Sequence, residues 1–386
     1  MPDVELIESK TELTLHWSDG LASRFHAIWL RDNCCCESCG DPAIGRRKLR
    51  LSDLPTDITI ETAQSEGNLM VSWSDGHQGE FSFQWLKQNS YDSDTRQLRQ
   101  FKPILWQEPF TQDPPEFDFP TITSDKQKFY QLLLCLRDYG FVFIRHAPAR
   151  SGTLEEFASR IGYIQETNFG RVQDLEFDRS KRSIANDVTE LKPHTDEPYR
   201  ASPPGILMFQ CLVSDITGNG ASTFLDGFAA AEQLRVEDPQ GFASLTRNRQ
   251  GFRRYFEDDV DLITEFPILN VDEFDNLVGL RINDRVHAPA CIDADEVVVF
   301  YRGLKRLLQL VEEPNRMMRK ILQPGDIALF DNHRILHGRT ALSIHGRRWL
   351  QWAQIERGDF HSSLRIVADQ LNKDRDVLPL MRGAYS

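Results

Sequence analysis

Four of the chain's seven cysteines, Cys34, Cys35, Cys36 and Cys39, fall within six residues, and this cluster constrains the fold more than any other feature. Neighbouring cysteines are poorly placed to bridge one another, and an odd total argues against a disulfide framework. The opening residues, MPDVELIESK, show no basic segment followed by an apolar run, so no secretory leader is expected. In a reducing compartment such a cluster binds metal more readily than it crosslinks. Cys34-x-Cys36-x-x-Cys39 offers three thiolates on one tight loop, and zinc prefers four tetrahedral nitrogen or sulfur ligands in a closed structural site. An Fe–S cluster is the alternative, but these four cysteines are packed too closely to surround one comfortably.

The rest of the composition is ordinary for a globular protein, with 40% apolar and 27% charged residues. At roughly 150 residues per domain, 386 residues make two or three domains. Lys and Arg total 45 against 58 Asp and Glu, a net charge of −13, which weighs against a nucleic-acid surface. No window approaches 18 consecutive apolar residues, so no membrane span is expected, and a cytoplasmic location fits best.

The first ninety or so residues alternate as short strands. Thr11–Trp17, Ser23–Leu30 (running on into the cysteines), Asn68–Trp73 and Gly79–Trp85 carry the pattern, with Asp19-Gly20 and Ser74-Asp75-Gly76 as turns. HWSDGLASRF and SWSDGHQGEF resemble each other and point to two similar hairpins. Polar, proline-bearing sequence from Asn89 to about Asp118 reads as a linker. Two domains, 1–95 and 96–386, are therefore expected. Beyond the linker come a helix over Asp125–Tyr139 stopped by Gly140, and strands over Gly140–His146, Gly205–Leu212, Asp326–Asp331 and Arg348–Glu356. Helices are expected over Asp226–Leu234, over Glu296–Glu313 and in part of the tail. Strands with a few helices, lacking regular βαβ alternation, predict a mainly β barrel or sandwich with flanking helices.

The densest chemistry lies in His194-Thr195-Asp196. On an extended segment, residues i and i+2 point to one side, so this imidazole and carboxylate converge. Two histidines and a carboxylate can cap one face of an octahedral Fe(II), leaving positions for a bidentate 2-oxo acid and dioxygen. The second histidine is sought in Asp331-Asn332-His333-Arg334-Ile335-Leu336-His337-Gly338-Arg339, where His333 and His337 compete. Arg348 begins the next strand, sharing a face with Leu350, Trp352 and Gln354, and its planar fork suits a carboxylate.

These residues carry a family resemblance. His194-x-Asp196, Phe330-Asp331-Asn332 with Leu336-His337-Gly338-Arg339, and Arg348 resemble the taurine dioxygenase superfamily of Fe(II)/2-oxoglutarate oxygenases. Trp29-Leu30-Arg31-Asp32-Asn33-Cys34, with Cys36 and Cys39, is similar to the gamma-butyrobetaine dioxygenase branch, which carries an N-terminal zinc module. The resemblance implies a double-stranded β-helix, or jelly roll, behind a small β-rich zinc-binding domain. It implies His194, Asp196 and His337 as iron ligands, with His333 structural, and Arg348 on the distal carboxylate of 2-oxoglutarate. Ser222 would lie near that cosubstrate, although Asn219-Gly220-Ala221 departs from the family's usual Gly-Gly-Asp. Cys34, Cys36, Cys39 and His77 would hold zinc, and Cys35 has no assigned role. A homodimer is expected.

Branch members that act on trimethylammonium compounds use an aromatic cage, because a quaternary ammonium has no hydrogen to donate. Here Asn186, Glu197 and Gln354 stand at positions where the branch has aromatics, while Phe169 and Tyr199 remain. A polar pocket is therefore expected, with Glu197 and Asn186 facing a hydrogen-bearing ammonium or a hydroxyl. Arg171 and Arg285 are candidates for a substrate carboxylate, phosphonate or sulfonate. The implied reaction hydroxylates an aliphatic C–H of a small amino acid, betaine-like or aminophosphonate compound, giving succinate and CO2. A trimethylammonium hydroxylase and a non-catalytic binding protein on the same fold are the alternatives.

Overall fold

The computed structural model describes residues 2–41, 44–108, 110–176, 188–215, 217–256, 260–343, 347–373 and 379–380. The chain divides into two compact units, Met1–Gln100 and Phe101–Ser386.

In the first unit, two three-stranded antiparallel meanders are each followed by a short helix. Strands Asp3–Leu6, Glu12–His16 and Ala22–His26 lead into helix Ala27–Asp32. Strands Ile60–Glu66, Asn68–Trp73 and Gln78–Phe81 lead into helix Phe83–Asn89. The likeness between the two hairpin sequences thus extends to the helix after each hairpin. The alternating runs expected to continue to Leu30 and Trp85 instead turn helical at Ala27 and Phe83. Ser82 caps the second helix by accepting from Trp85 N at 3.1 Å, a bond that an extended chain would not make. Leu13, Leu15, Phe25, Leu30, Leu69 and Trp73 fill the core, and Cys34 and Cys39 are buried in the same cluster.

The second unit begins within the stretch expected to be a linker. Trp106 is buried, donates from its indole to Tyr139 O and stacks on Phe110 at 4.6 Å. Glu116–Asp118 pairs as an edge strand. The local composition is polar, but Trp106 finds an apolar wall that only the tertiary fold supplies.

Among the described residues, one sheet runs Gln173–Glu176, Trp349–Ile355, Ile206–Val213, Ile327–Asp331, Phe141–Arg145, Glu116–Asp118. A second runs Leu191–His194, Ile335–Arg339, Ser222–Asp226, Met318–Lys320. All pairings are antiparallel except the one to Glu116–Asp118. Strand alternation sorts the side chains. Phe141, Phe143, Leu207, Phe209, Phe330 and Trp352 pack inward with Phe224 and Ile335 of the smaller sheet. Val142, Ile144, Met208, Leu329, Ala353 and Ile355 face outward, under helices Lys126–Tyr139, Thr153–Ala158 and Arg357–Gln370. This is a mainly β jelly roll, a double-stranded β-helix with flanking helices. Gly140 ends the Lys126–Tyr139 helix at φ +71°, and a Cβ there would also meet Arg334 Cδ at 2.9 Å.

Candidate active site and metal centres

The iron-type triad forms where two antiparallel strands run side by side. Register places His194 directly opposite His337, and their ring centroids are 4.4 Å apart. Asp196 lies just past the end of its strand. One carboxylate oxygen is 3.4 Å from His194 Nε2 and the other is 3.4 Å from His337 Nε2. Octahedral cis ligands at about 2.1 Å from an ion lie roughly 3 Å apart, so the donors are spaced as one face of such a shell. The tautomer suits ligation: His194 Nδ1 faces Lys192 O at 2.8 Å, which fixes its proton there and leaves the Nε2 lone pair toward Asp196. Phe209 and Phe330 pack on the His337 ring, each with its centroid at 5.1 Å.

Burial pushes the His194 imidazole down, and its neighbour His337 adds to the effect. Burial acts against the Asp196 carboxylate, but the His337 and His194 imidazoles outweigh it and hold its pKa far below the usual range. Neutral imidazole and ionised carboxylate are the ligating forms.

Asn332 fixes where Asp196 points. Its Oδ1 accepts from Asp196 N at 2.8 Å, and its Nδ2 donates to Asp196 O at 3.1 Å and Pro204 O at 3.0 Å. Thr195 is tied to Ile282 in both directions, at 2.7 and 3.1 Å. His333 lies apart from the triad: its backbone N–H donates to Asp331 and its ring lies beside Arg357.

Arg348 sits inside the barrel and donates to Ser222 Oγ at 3.0 Å. Burial and the neighbouring Arg339 guanidinium push it down to about 10, so it is still charged at neutral pH. Among the described residues it forms no ion pair. Ser222 is held by register opposite Arg339. Gly220, in the Asn219-Gly220-Ala221 turn, has φ +72°, and a Cβ would come within 2.4 Å of Leu342.

The remaining predicted residues separate. Glu197 is buried at φ +51°, and its Oε2 accepts from Arg200 Nε at 2.5 Å. The next turn is clamped by Arg281, whose guanidinium donates to Pro198 O, Arg200 O and Ala201 O and lies 3.7 Å from the Phe266 ring centroid. Tyr199 is buried beside this turn. Gln354 is buried on the inner face of strand Trp349–Ile355, opposite Leu207. Arg285 is exposed, yet its charge reaches His194. Arg171 is not brought to the triad. Gly170, at φ +87°, turns the chain outward, and Arg171 lies in a surface cleft of about 760 Å³ beside Glu155 at 3.9 Å. Asn186 lies outside the described residues.

In the first unit, His77 Nε2 is 3.3, 3.5 and 3.5 Å from the sulfurs of Cys34, Cys36 and Cys39. Zn–S and Zn–N bonds of about 2.3 and 2.0 Å at tetrahedral angles put sulfur and nitrogen about 3.5 Å apart, so the donor set fits zinc. The Trp29–Cys34 motif has a visible role here. Arg31 donates to Cys39 Sγ at 3.3 Å and to Asp75 at 2.8 Å, and Asp75 accepts from His77 N at 3.0 Å. Burial pushes the Cys34 thiol up to about 12, the cost a bound cation would offset. At Cys36 burial is outweighed by hydrogen bonds from Ser38 and Cys39, which bring it to about 6. Gly79 leaves room for the site, since a Cβ would lie 2.9 Å from Cys34 Sγ. Cys35 is exposed and outside the cluster of donors.

Sequence reasoning passed over Asn332, Arg281 and Arg339 as site builders. Asn332 and Arg339 lie inside the late histidine motif, and their side-chain donors were the available signal.

This fold and this donor set define a class, the non-haem iron oxygenases. Residues 99–354 match the Taurine catabolism dioxygenase TauD, TfdA family, and residues 4–92 match the Gamma-butyrobetaine hydroxylase-like, N-terminal family. The chain belongs to the TauD/TfdA family and is an Fe(II)- and 2-oxoglutarate-dependent dioxygenase. It is 31% identical over 361 residues to the gamma-butyrobetaine dioxygenase of Pseudomonas sp. (strain AK-1), covering 92% of this chain and 93% of that protein. It is 30% identical over 374 residues to the trimethyllysine dioxygenase of Meyerozyma guilliermondii, covering 92% and 93%. With the human gamma-butyrobetaine dioxygenase it shares 27% over 376 residues, covering 95% and 97%. No helix among the described residues is long and apolar enough to cross a membrane.

Proposed function

We propose that His194, Asp196 and His337 hold Fe(II), that Arg348 and Ser222 hold the distal carboxylate of 2-oxoglutarate, and that Cys34, Cys36, Cys39 and His77 hold a structural zinc. The substrate is a small polar molecule with an aliphatic C–H, of amino acid, betaine-like or aminophosphonate type. The observation that carries this reading is Arg348: a guanidinium inside the barrel with a hydroxyl partner and no carboxylate partner among the described residues is shaped to receive a carboxylate. With the metal bound, the centre couples oxidative decarboxylation of 2-oxoglutarate by O2, to succinate and CO2, with hydroxylation of the substrate.

The chain's own residues do the positioning. Lys192 O holds the His194 proton on Nδ1, Asn332 aims Asp196, and Phe209 and Phe330 keep water from the His337 ring. Arg348 fixes the far end of the cosubstrate as a two-pronged donor. Residues 1–95 serve as the zinc domain and 96–386 as the oxygenase. A homodimer in the cytoplasm fits the same reading.

The relatives named for gamma-butyrobetaine and trimethyllysine set the alternative. Glu197 and Gln354 stand where the branch has aromatics, so gamma-butyrobetaine is expected to be a poor substrate. Efficient turnover of it, coupled to succinate, would count against this.

Two results are expected. Iron-dependent succinate formation from 2-oxoglutarate, measured over a screen of amines, amino acids and aminophosphonates, should fall below about 1% of wild type in His194→Ala, because a lost ligand costs more than a lost outer partner. Unchanged turnover would remove the iron assignment. Protein purified without added metal should carry about one zinc per chain, and Cys39→Ser should lose it together with the protease resistance of the first unit. A folded first unit with no zinc would refute the closed site.

A further inference from the structure

Among the buried oxygens near the triad that have no partner among the described residues, two belong to side chains already singled out in the sequence, Glu197 and Gln354. Glu197 gives one carboxylate oxygen to Arg200, while its Oε1 is buried and accepts nothing. Gln354 is 3% exposed, and its side-chain Oε1 is likewise buried and unpartnered. An acceptor left unsatisfied in the interior costs about 1–3 kcal/mol, so two of them call for an explanation.

Both stand on segments that build the triad's surroundings. Glu197 follows Asp196 directly, and its left-handed backbone together with the Arg281 clamp on the next turn holds it at φ +51°. Gln354 shares the inner face of its strand, Trp349–Ile355, with Leu350 and Trp352. The Trp352 ring is 6.5 Å from Phe209, which in turn packs on His337. Gln354 pairs with Leu207 of the same inner core, so its carboxamide enters the barrel.

We infer that Glu197 and Gln354 together read an ammonium group that still carries hydrogens, so that the substrate is a primary or secondary amine rather than a quaternary one. The inference rests on the oxygenase reading above. Its chemistry is a matter of counting donors. A trimethylammonium head has no N–H to give, and both oxygens would stay orphaned beneath it. A hydroxyl has one hydrogen and satisfies one oxygen. A protonated primary or secondary amine has at least two and satisfies both. A site built to bond N–H groups rejects an analogue lacking them, because its own buried groups are then left unpaired.

The test uses metal-loaded full-length protein under nitrogen, where nothing turns over, and reads binding by calorimetry. 2-Oxoglutarate is titrated first. If it fails to bind, the oxygenase reading fails, and that failure is distinct from any result with amines. With 2-oxoglutarate bound, two matched pairs are compared, 4-aminobutanoate against gamma-butyrobetaine and lysine against Nε-trimethyllysine, with 4-hydroxybutanoate as the hydroxyl control. The N–H-bearing member of at least one pair is expected to bind about tenfold or more tighter than its trimethylated partner and than the hydroxyl control. Gln354→Leu and Glu197→Gln should each shrink that ratio severalfold. Equal or tighter binding of the trimethylated members overturns the inference in wild-type protein alone, whether or not the variants fold. So does tighter binding of 4-hydroxybutanoate, failure of every amine to bind, or a ratio unmoved in both folded variants.

Discussion

Arg348→Ala should weaken 2-oxoglutarate binding by about two to three orders of magnitude, measured by calorimetry on metal-loaded protein without oxygen. Removing one partner of a buried, hydrogen-bonded charge pair costs about 2–5 kcal/mol, and each 1.4 kcal/mol is a factor of ten. The geometry places this pair at the expensive end. Arg348 reaches Ser222 through one nitrogen, and the rest of its fork has no carboxylate partner among the described residues. The Arg339 charge nearby makes this corner of the barrel more positive, which suits a dianion. Arg348→Lys should regain only part of the loss, since an ammonium is a point charge and cannot match both carboxylate oxygens in a plane. Zinc content should be unchanged in either variant. Wild-type affinity for 2-oxoglutarate in Arg348→Ala would place the cosubstrate elsewhere.

The second large effect is on stability. Arg334→Met should destabilise the second unit by about 3–5 kcal/mol, read as a lower midpoint in chemical denaturation. Arg334 and Asp226 form a fully buried ion pair, side chains 1% and 0% exposed, at 2.7 Å. The arginine also donates to Asp138 O at 2.8 Å and Ile104 O at 2.6 Å. Asp226 accepts from Trp106 N and Phe228 N, both at 3.0 Å, and the latter bond caps the helix Gly227–Glu237. The single substitution leaves a buried carboxylate without its cation. Pairing it with Asp226→Asn removes that charge and should recover part of the loss, which a double-mutant cycle would measure. A change under about 1 kcal/mol would show that the pair is not what holds the second unit together here.

Much of the fold was legible because its signals are local. Gly140 as a left-handed stop ends one helix in sequence and in space, while Asp125, expected as its first residue, is its cap. The runs at 205–212, 326–331 and 348–356 give the strands Ile206–Val213, Ile327–Asp331 and Trp349–Ile355 for the reason their composition implies. The failures are equally physical. Alternation over Gly79–Trp85 could not show that Ser82 would cap a helix, since capping is a choice between two backbones with similar hydrophobic pattern. The polar stretch around Trp106 could not show the wall that buries it.

The sequence by itself determined which donors exist and which of them share a side. His194 and Asp196 stand two residues apart in one motif, with Asp196 just past the strand Leu191–His194, and the cysteines converge because they occupy one loop. Only the tertiary structure decided which distant groups meet them. Strand register set His337 opposite His194 and left His333 against Arg357. The folding of a second hairpin carried His77 onto the cysteines. Arg171, next to the Gly170 turn, is exposed beside Glu155, while Arg348, just before the strand Trp349–Ile355, reaches Ser222. Arginine and histidine carry the same chemistry wherever they stand; register and turn handedness, which couple residues far apart in the chain, select the ones that act.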